Sequence, residues 1–296
     1  MILLKLTPLW MAARGLLAER GADFFSCWVK VATTFDREDI HDLRVASRRL
    51  REALALFAPC YPDGRITRLR KNVAGVTEIL GDLRNIDEGI AFFREEAKEL
   101  DGEQERELAG FIARFEKKRE AARSRLTRDL RKISCDTLRK KFVGTVHSPY
   151  LLNPPSGKAD PFMTIEDFAR ECIDQRLVPV LLLVPAARQP ADAAAQHRMR
   201  IAVKKYRYRM EVLSPLTNDG YRELHGHVKE YQEILGRIHD LDVFAGLVAN
   251  SRLTAPTKEK LTGLIVGERE KSFGLFLEKL DNTPFEQIGE RVRSIM

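Results

Sequence analysis

The sequence has little cysteine and no long hydrophobic run. Its four cysteines, Cys27, Cys60, Cys135 and Cys172, stand at least 33 residues apart, with no CxxC and no zinc-ligand spacing, so they read as reduced thiols. The longest apolar stretch, residues 177–187, is eleven residues and is broken by Pro179 and Pro185. About 20 are needed to span a bilayer, so no transmembrane helix is expected. The first 17 residues are apolar, but Lys5 and Pro8 interrupt them and no small-residue cleavage site follows. A secretory leader is therefore not expected, and the cytoplasm is the expected compartment. GxxxxGK[ST], GxGxxG and HExxH are all missing, which removes support for nucleotide or zincin chemistry. No cofactor and no metal are expected.

What remains is a chain of 296 residues, 44% hydrophobic and 31% charged, able to bury a substantial core. Apolar residues recur at three and four, and strict alternation of strand length is hard to find, so the fold class is all-α. Helices are expected over 9–31, 37–58, 64–81, 85–99, 103–140, 164–184, 190–213, 219–236, 239–253 and 257–280, with Pro284 breaking the tail. Residues 144–161 hold four prolines, two glycines and two serines and read as a linker near mid-chain.

A mid-chain linker invites a search for duplication. HDLRVASRRLR at 41–51 recurs as HRMRIAVKKYR at 197–207, and ILGDLRNID at 79–87 recurs as ILGRIHDLD at 234–242. The offsets are 156 and 155. Asp36, the expected N-cap of the first motif helix, matches Asp192. Two motifs in one register imply two homologous halves, 1–150 and 156–296.

At about 100° per residue, His41, Arg44, Arg48 and Arg51 share one sector of a helix whose other side carries Leu43, Ala46, Leu50 and Leu54. His197, Arg200, Lys204 and Arg207 repeat the pattern opposite Met199, Ala202 and Tyr206. Solvated helix faces mix both signs, because like charges at i, i+4 cost a few tenths of a kcal/mol. Here residues 44–51 contain no acid, and residues 197–209 contain six Lys or Arg and none. Arginine-rich stripes suit phosphate. Only Tyr208 is a candidate for stacking and no Asn or Gln accompanies either stripe, so a backbone-only phosphate polymer fits better than nucleic acid.

These motifs resemble the CHAD domain, the conserved histidine α-helical domain, over nearly the whole chain. The resemblance implies one CHAD domain of two antiparallel, four-helix-bundle-like halves related by a pseudo-twofold axis, with basic helices lining a shared groove. It implies binding of inorganic polyphosphate and association with polyphosphate granules. Carried over, the binding residues are His41, Arg44, Arg48, Arg49, Arg51, His197, Arg200, Lys204, Lys205 and Arg207. Arg84 matches the basic position of the family's LGxxRD element, although Asn85 replaces its acid. Lys71, Lys229 and Tyr208 are candidate extensions of the groove. No ExExK motif of the CYTH partner enzyme opens the chain, so a stand-alone binding module, not an enzyme, is expected.

Two rivals come from other classes. His41-Asp42 and His239-Asp240 look like the ligand pair of a metal-dependent phosphohydrolase, but Asp42 corresponds to Arg198, and His239-Asp240 to Arg84-Asn85. Neither pair survives in the other half. RNA or DNA binding is the second rival. Asp82, Asp87, Glu233 and Asp242 read as partners of nearby cations or as helix caps.

Overall fold

The computed structural model describes residues 5–151, 155 and 157–296, without the side chains of Asp82 and Arg84. Among these the chain forms α1 (Leu9–Thr34), α2 (Arg37–Leu56), α3 (Asp63–Ile79), α4 (Gly81–Glu96), α5 (Gly102–Lys132), α6 (Cys135–Val146), α7 (Ile165–Ala187), α8 (Ala193–Leu213), α9 (Tyr221–Ala249), α10 (Ala255–Asn282) and α11 (Phe285–Ile295). The fold is all-α: the described residues form no strand, only an isolated bridge between Pro8 and Thr164. Among the described residues no helix is long and apolar enough to cross a membrane. Residues 152–154 and 156 of the expected linker lie outside the described residues.

Local chemistry explains most helix ends. The Asp36 carboxylate accepts from the Glu38 amide and that of Asp192 from the Ala195 amide, so both motif helices begin at the expected caps. The helix expected over 103–140 is two helices, because the Ser134 hydroxyl accepts from the Thr137 amide and starts α6. The break expected near residue 237 is absent, and α9 runs on unbroken. Pro284 breaks the tail as expected, standing between α10 and a further helix, α11, at φ −64°, the angle its ring imposes.

Packing partners recur between the halves. α1 lies on α2 as α7 lies on α8, α2 on α3 as α8 on α9, and α4 on α5 as α9 on α10. In the same way α6 closes over α1 and α3, and α11 over α7 and α9. α2 and α8 pack against each other and join the two sets. The α1–α6 and α7–α11 crossings solve one steric problem in opposite ways. Gly21 of α1 admits the Phe142 ring from α6, whereas 156 residues on Leu177 of α7 reaches into Gly289 of α11. A Cβ on either glycine would collide with that side chain.

Neither half owns its core. The larger apolar cluster joins Leu17, Phe24, Leu50 and Phe57 to Phe168, Tyr206, Tyr231 and Phe285. The smaller joins Phe93, Phe111 and Phe115 of α4 and α5 to Phe244, Leu261 and Ile265 of α9 and α10. The rings of Phe92 and Phe244 stack at 4.6 Å across this second junction. Apolar burial thus fixes α2 and α8 side by side, with their charged faces on the rim of one surface.

Candidate functional site: a basic trough between α2 and α8

Three hollows that share lining residues run from the α2–α4 junction onto the α2–α8 seam. The first, about 250 Å³, is lined by Arg37, His41 and Arg44 with Leu80, Leu83, Asp87 and Glu88. Glu88 also lines the second, about 460 Å³, where Arg48 of α2 meets Arg200 and Lys204 of α8 and Arg237 of α9, in a mixed wall that also carries five carboxylates, Glu88, Glu95, Glu96, Glu233 and Asp240. Arg48 and Lys204 continue into the third, about 390 Å³, with Arg51, Arg70, Arg176, Lys205 and Tyr208. The result is one trough crossed by both cationic stripes. The third hollow is its most basic part: six cations face a single carboxylate, Glu52. Burial lowers the pKa of Arg51 there, opposed by Glu78 and reinforced by Arg48 and Arg70. Crowded, partly desolvated guanidiniums of this kind favour an incoming anion.

Seven of the ten expected residues line the trough: His41, Arg44, Arg48, Arg51, Arg200, Lys204 and Lys205. Tyr208 joins them, buried beneath the Arg207 guanidinium at 4.9 Å. The other three turn elsewhere. Arg49 Nε donates to Glu211 Oε2 at 2.5 Å and Arg207 Nη1 to Glu211 Oε1 at 2.6 Å. His197 Nδ1 lies 3.1 Å from His239 Nδ1. Lys71 is exposed on α3 outside these hollows, and Lys229 pairs with Glu233 at 3.4 Å on its own helix. The Arg84 side chain is outside the described ones.

Glu211 is the centre of a buried ion cluster. Besides Arg49 and Arg207 it meets His225 Nε2 at 3.0 Å, and its backbone carbonyl accepts from Arg20 Nη2 at 3.0 Å. Burial alone would raise its pKa; the His225 hydrogen bond and the Arg207 and Arg49 guanidiniums overcome this and hold it at about 2. A second cluster forms around Glu52 of α2. Arg176 Nε and Arg209 Nε both donate to Glu52 Oε1 at 2.8 Å, and Arg209 Nη1 caps the Cys172 carbonyl at 2.8 Å. Each cluster pins one motif helix to the opposite half. Arg20 and Arg176 are themselves 156 residues apart, so the repeat offset was the signal that could have exposed them. Arg70 had a signal too, since α3 carries Arg65, Arg68, Arg70 and Lys71 with no acid between Asp63 and Glu78.

The last acid of each copy of the second motif is structural. Asp87 accepts from Arg119 Nε at 2.5 Å and Asp242 from Arg269 Nε at 2.6 Å, tying each motif to α5 or α10. The glycine of the second motif also has work in α9, where the Arg200 guanidinium rests 4.0 Å from the position of a Gly236 Cβ. Among the described residues no group of three or more His, Cys, Asp or Glu could hold a metal ion. Burial, Arg200 and His197 lower the His239 pKa to about 4, and burial, Arg200 and Lys204 lower that of His197. The two rings therefore form a neutral pair at neutral pH, one nitrogen donating and the other accepting.

The CHAD domain family profile matches residues 16–249. Two solved structures are similar over almost the full length. The crystal structure of the CHAD domain from the plant Ricinus communis has 25% identity and a TM-score of 0.61, covering 100% of this chain and 95% of that one. PptA from Streptomyces chartreusis has 18% identity and a TM-score of 0.69, covering 93% of this chain and 100% of its own. No curated protein matches the sequence.

Proposed function

This chain belongs to the CHAD domain family, and from that premise we propose that it binds inorganic polyphosphate in the α2–α8 trough. The observation that carries the reading is the position of Arg48 and Lys204. One comes from each motif helix, and both line the same two hollows. A linear phosphate chain laid along the seam meets His41 and Arg44 at one end and Arg51, Lys205 and Arg70 at the other. The recurring packing partners and the crossed Arg20 and Arg176 ties support halves related by a pseudo-twofold axis about that seam. The aromatic rings that reach the trough, Tyr208, Phe92 and Phe244, are buried, and Gln232 is engaged by Arg207, so cations rather than stacking or base-reading groups face a ligand and polyphosphate stands ahead of RNA or DNA. The protein acts as a binding module rather than an enzyme, and polyphosphate granules in the cytoplasm are its proposed place of action.

The test is titration of labelled polyphosphate over a salt series, with excess tRNA as competitor. Counterion release requires log K to fall linearly with log salt. The Arg48→Ala/Lys204→Ala variant should lose most of the affinity and flatten the slope by nearly two cations' worth. A flat salt response in the parent protein, or efficient displacement by tRNA, overturns the reading.

A further inference from the structure

The net positive charge of the chain sits away from the trough. Residues 114–141, in α5 and α6, hold twelve Lys and Arg against four Asp and Glu, a net +8, while the whole chain is +7. The rest of the molecule, motif helices included, is close to neutral. Aligned on the Arg119–Asp87 and Arg269–Asp242 pairs, the corresponding residues 264–291 of α10 and α11 hold four Lys and Arg against six Asp and Glu. The helices occupy corresponding packing positions, so packing does not call for the charge.

On α5 the cations form a face. Lys117, Lys118, Arg125, Arg128, Arg131 and Lys132 are all exposed. At about 100° and 1.5 Å per residue they span a sector of about 140° and a length of about 22 Å. Ala121 and Ser124 are the other residues in that sector, which holds no acid. Glu120 and Asp129 flank it on its two edges, and Asp129 bonds Lys132 at 2.7 Å. Leu126 and Leu130 point the opposite way into the core.

We propose that this face of α5 binds double-stranded nucleic acid through its phosphates, without reading sequence. The shape decides among polyanions. The trough is a hollow lined from several helices, whereas the α5 cations share one exposed face of a single 31-residue helix, as needed to reach phosphates on both sides of a duplex groove. A duplex presents about one charge per 1.7 Å of axis, roughly a dozen along this face. The sector has no aromatic ring on which unpaired bases could stack. It also has no bulky apolar residue to enter a lipid interface. Ala121 and Ser124 allow close approach of the backbone.

The experiment compares the full chain with a Lys118→Gln/Arg125→Gln/Arg128→Gln/Arg131→Gln variant, using a short labelled DNA duplex and fluorescence anisotropy over a salt series. All four side chains are exposed, and unchanged thermal unfolding confirms the fold. The expected result is an affinity at least tenfold lower and a salt slope smaller by about 3.6, at about 0.9 per lost phosphate contact. Polyphosphate titration of the same variant should match the parent protein. Undiminished duplex binding overturns the proposal, as does loss of duplex binding in Arg48→Ala/Lys204→Ala instead. Parallel loss of polyphosphate makes the face a second polyphosphate track, and binding of phosphatidylserine vesicles without duplex makes it a membrane contact; either outcome also overturns it. The duplex arm stands whether or not the trough takes polyphosphate.

Discussion

The two motif helices carry one sequence pattern and divide its cations differently. On α2, His41, Arg44, Arg48 and Arg51 all line the trough, while Arg49 turns to the internal carboxylate of Glu211. On α8, Arg200, Lys204 and Lys205 line it, while His197 pairs with His239 and Arg207 and Arg209 are consumed by Glu211 and Glu52. The difference teaches that a one-signed stripe on a sequence overstates its free charge. Acids that neutralise it arrive from elsewhere: Glu211 stands just past the stripe, and Glu52 comes from the other half. α8 works as a strut as much as a binding surface, and α2 is the more open of the two.

The sharpest way to break that contrast is at Glu211. Glu211→Gln leaves Arg49 and Arg207 facing a neutral group at a site only 8% exposed, and breaking a buried pair costs about 3–5 kcal/mol. Urea unfolding should show that loss, whereas Arg51→Ala in the open trough should stay within about 1 kcal/mol. Acid supplies the matching readout. Glu211 is held at about 2, against roughly 4.3 in the unfolded chain. Its contribution, about 3 kcal/mol, is present above about pH 4.3 and is lost as the pH falls toward 2. The Gln variant should lack that part of the acid limb. Equal acid limbs in the two proteins would remove Glu211 from its place as the strut.

A smaller effect separates binding from support along α8 itself. Lys204→Ala should weaken polyphosphate binding by up to about 1.5–3 kcal/mol, the scale of one charge-assisted contact, and leave unfolding nearly unchanged. Arg207→Ala should do the reverse, since its guanidinium serves Glu211 and Gln232 Oε1 at 2.8 Å. Titration and thermal melts of the two single variants decide it. If Arg207→Ala costs as much affinity as Lys204→Ala, the stripes are equal after all.

How far these roles could be read in advance follows from the kind of signal each leaves. The helical class, both caps and the pairing of Asp87 and Asp242 with cations follow from period and spacing, which are local. The break at Ser134 did not show, because Ile133 continues the apolar period across it. Nor did the continuity of α9: the Leu80-Gly81 pair separates two helices, whereas Leu235-Gly236 lies within one. The trough residues were legible as a set because two copies carried them. Which of those cations are spent internally depends on contacts more than 100 residues apart, such as Arg49 with Glu211, and no helical wheel contains them.

The smallest effect expected concerns protons. His41 is exposed at one end of the trough, while His197 and His239 share their facing nitrogens beside Arg200 and Lys204, with Asp242 the nearby acid. Protonating both rings would aim two N–H groups at each other, and burial and the neighbouring cations oppose even the first proton. Both folded pKa values are thus below the unfolded 6.5, so the pair stabilises the free protein above about pH 6.5 and that stability is lost as the pH falls toward about 4. A polyanion in the trough offsets the field of Arg200 and Lys204 and lifts both values. Binding should therefore take up a fraction of a proton and tighten modestly between pH 6.5 and 5. Calorimetry in buffers of different ionisation enthalpy measures the uptake directly. His239→Gln should abolish most of it and His41→Gln should not; the opposite pattern would place the titrating contact in the first half.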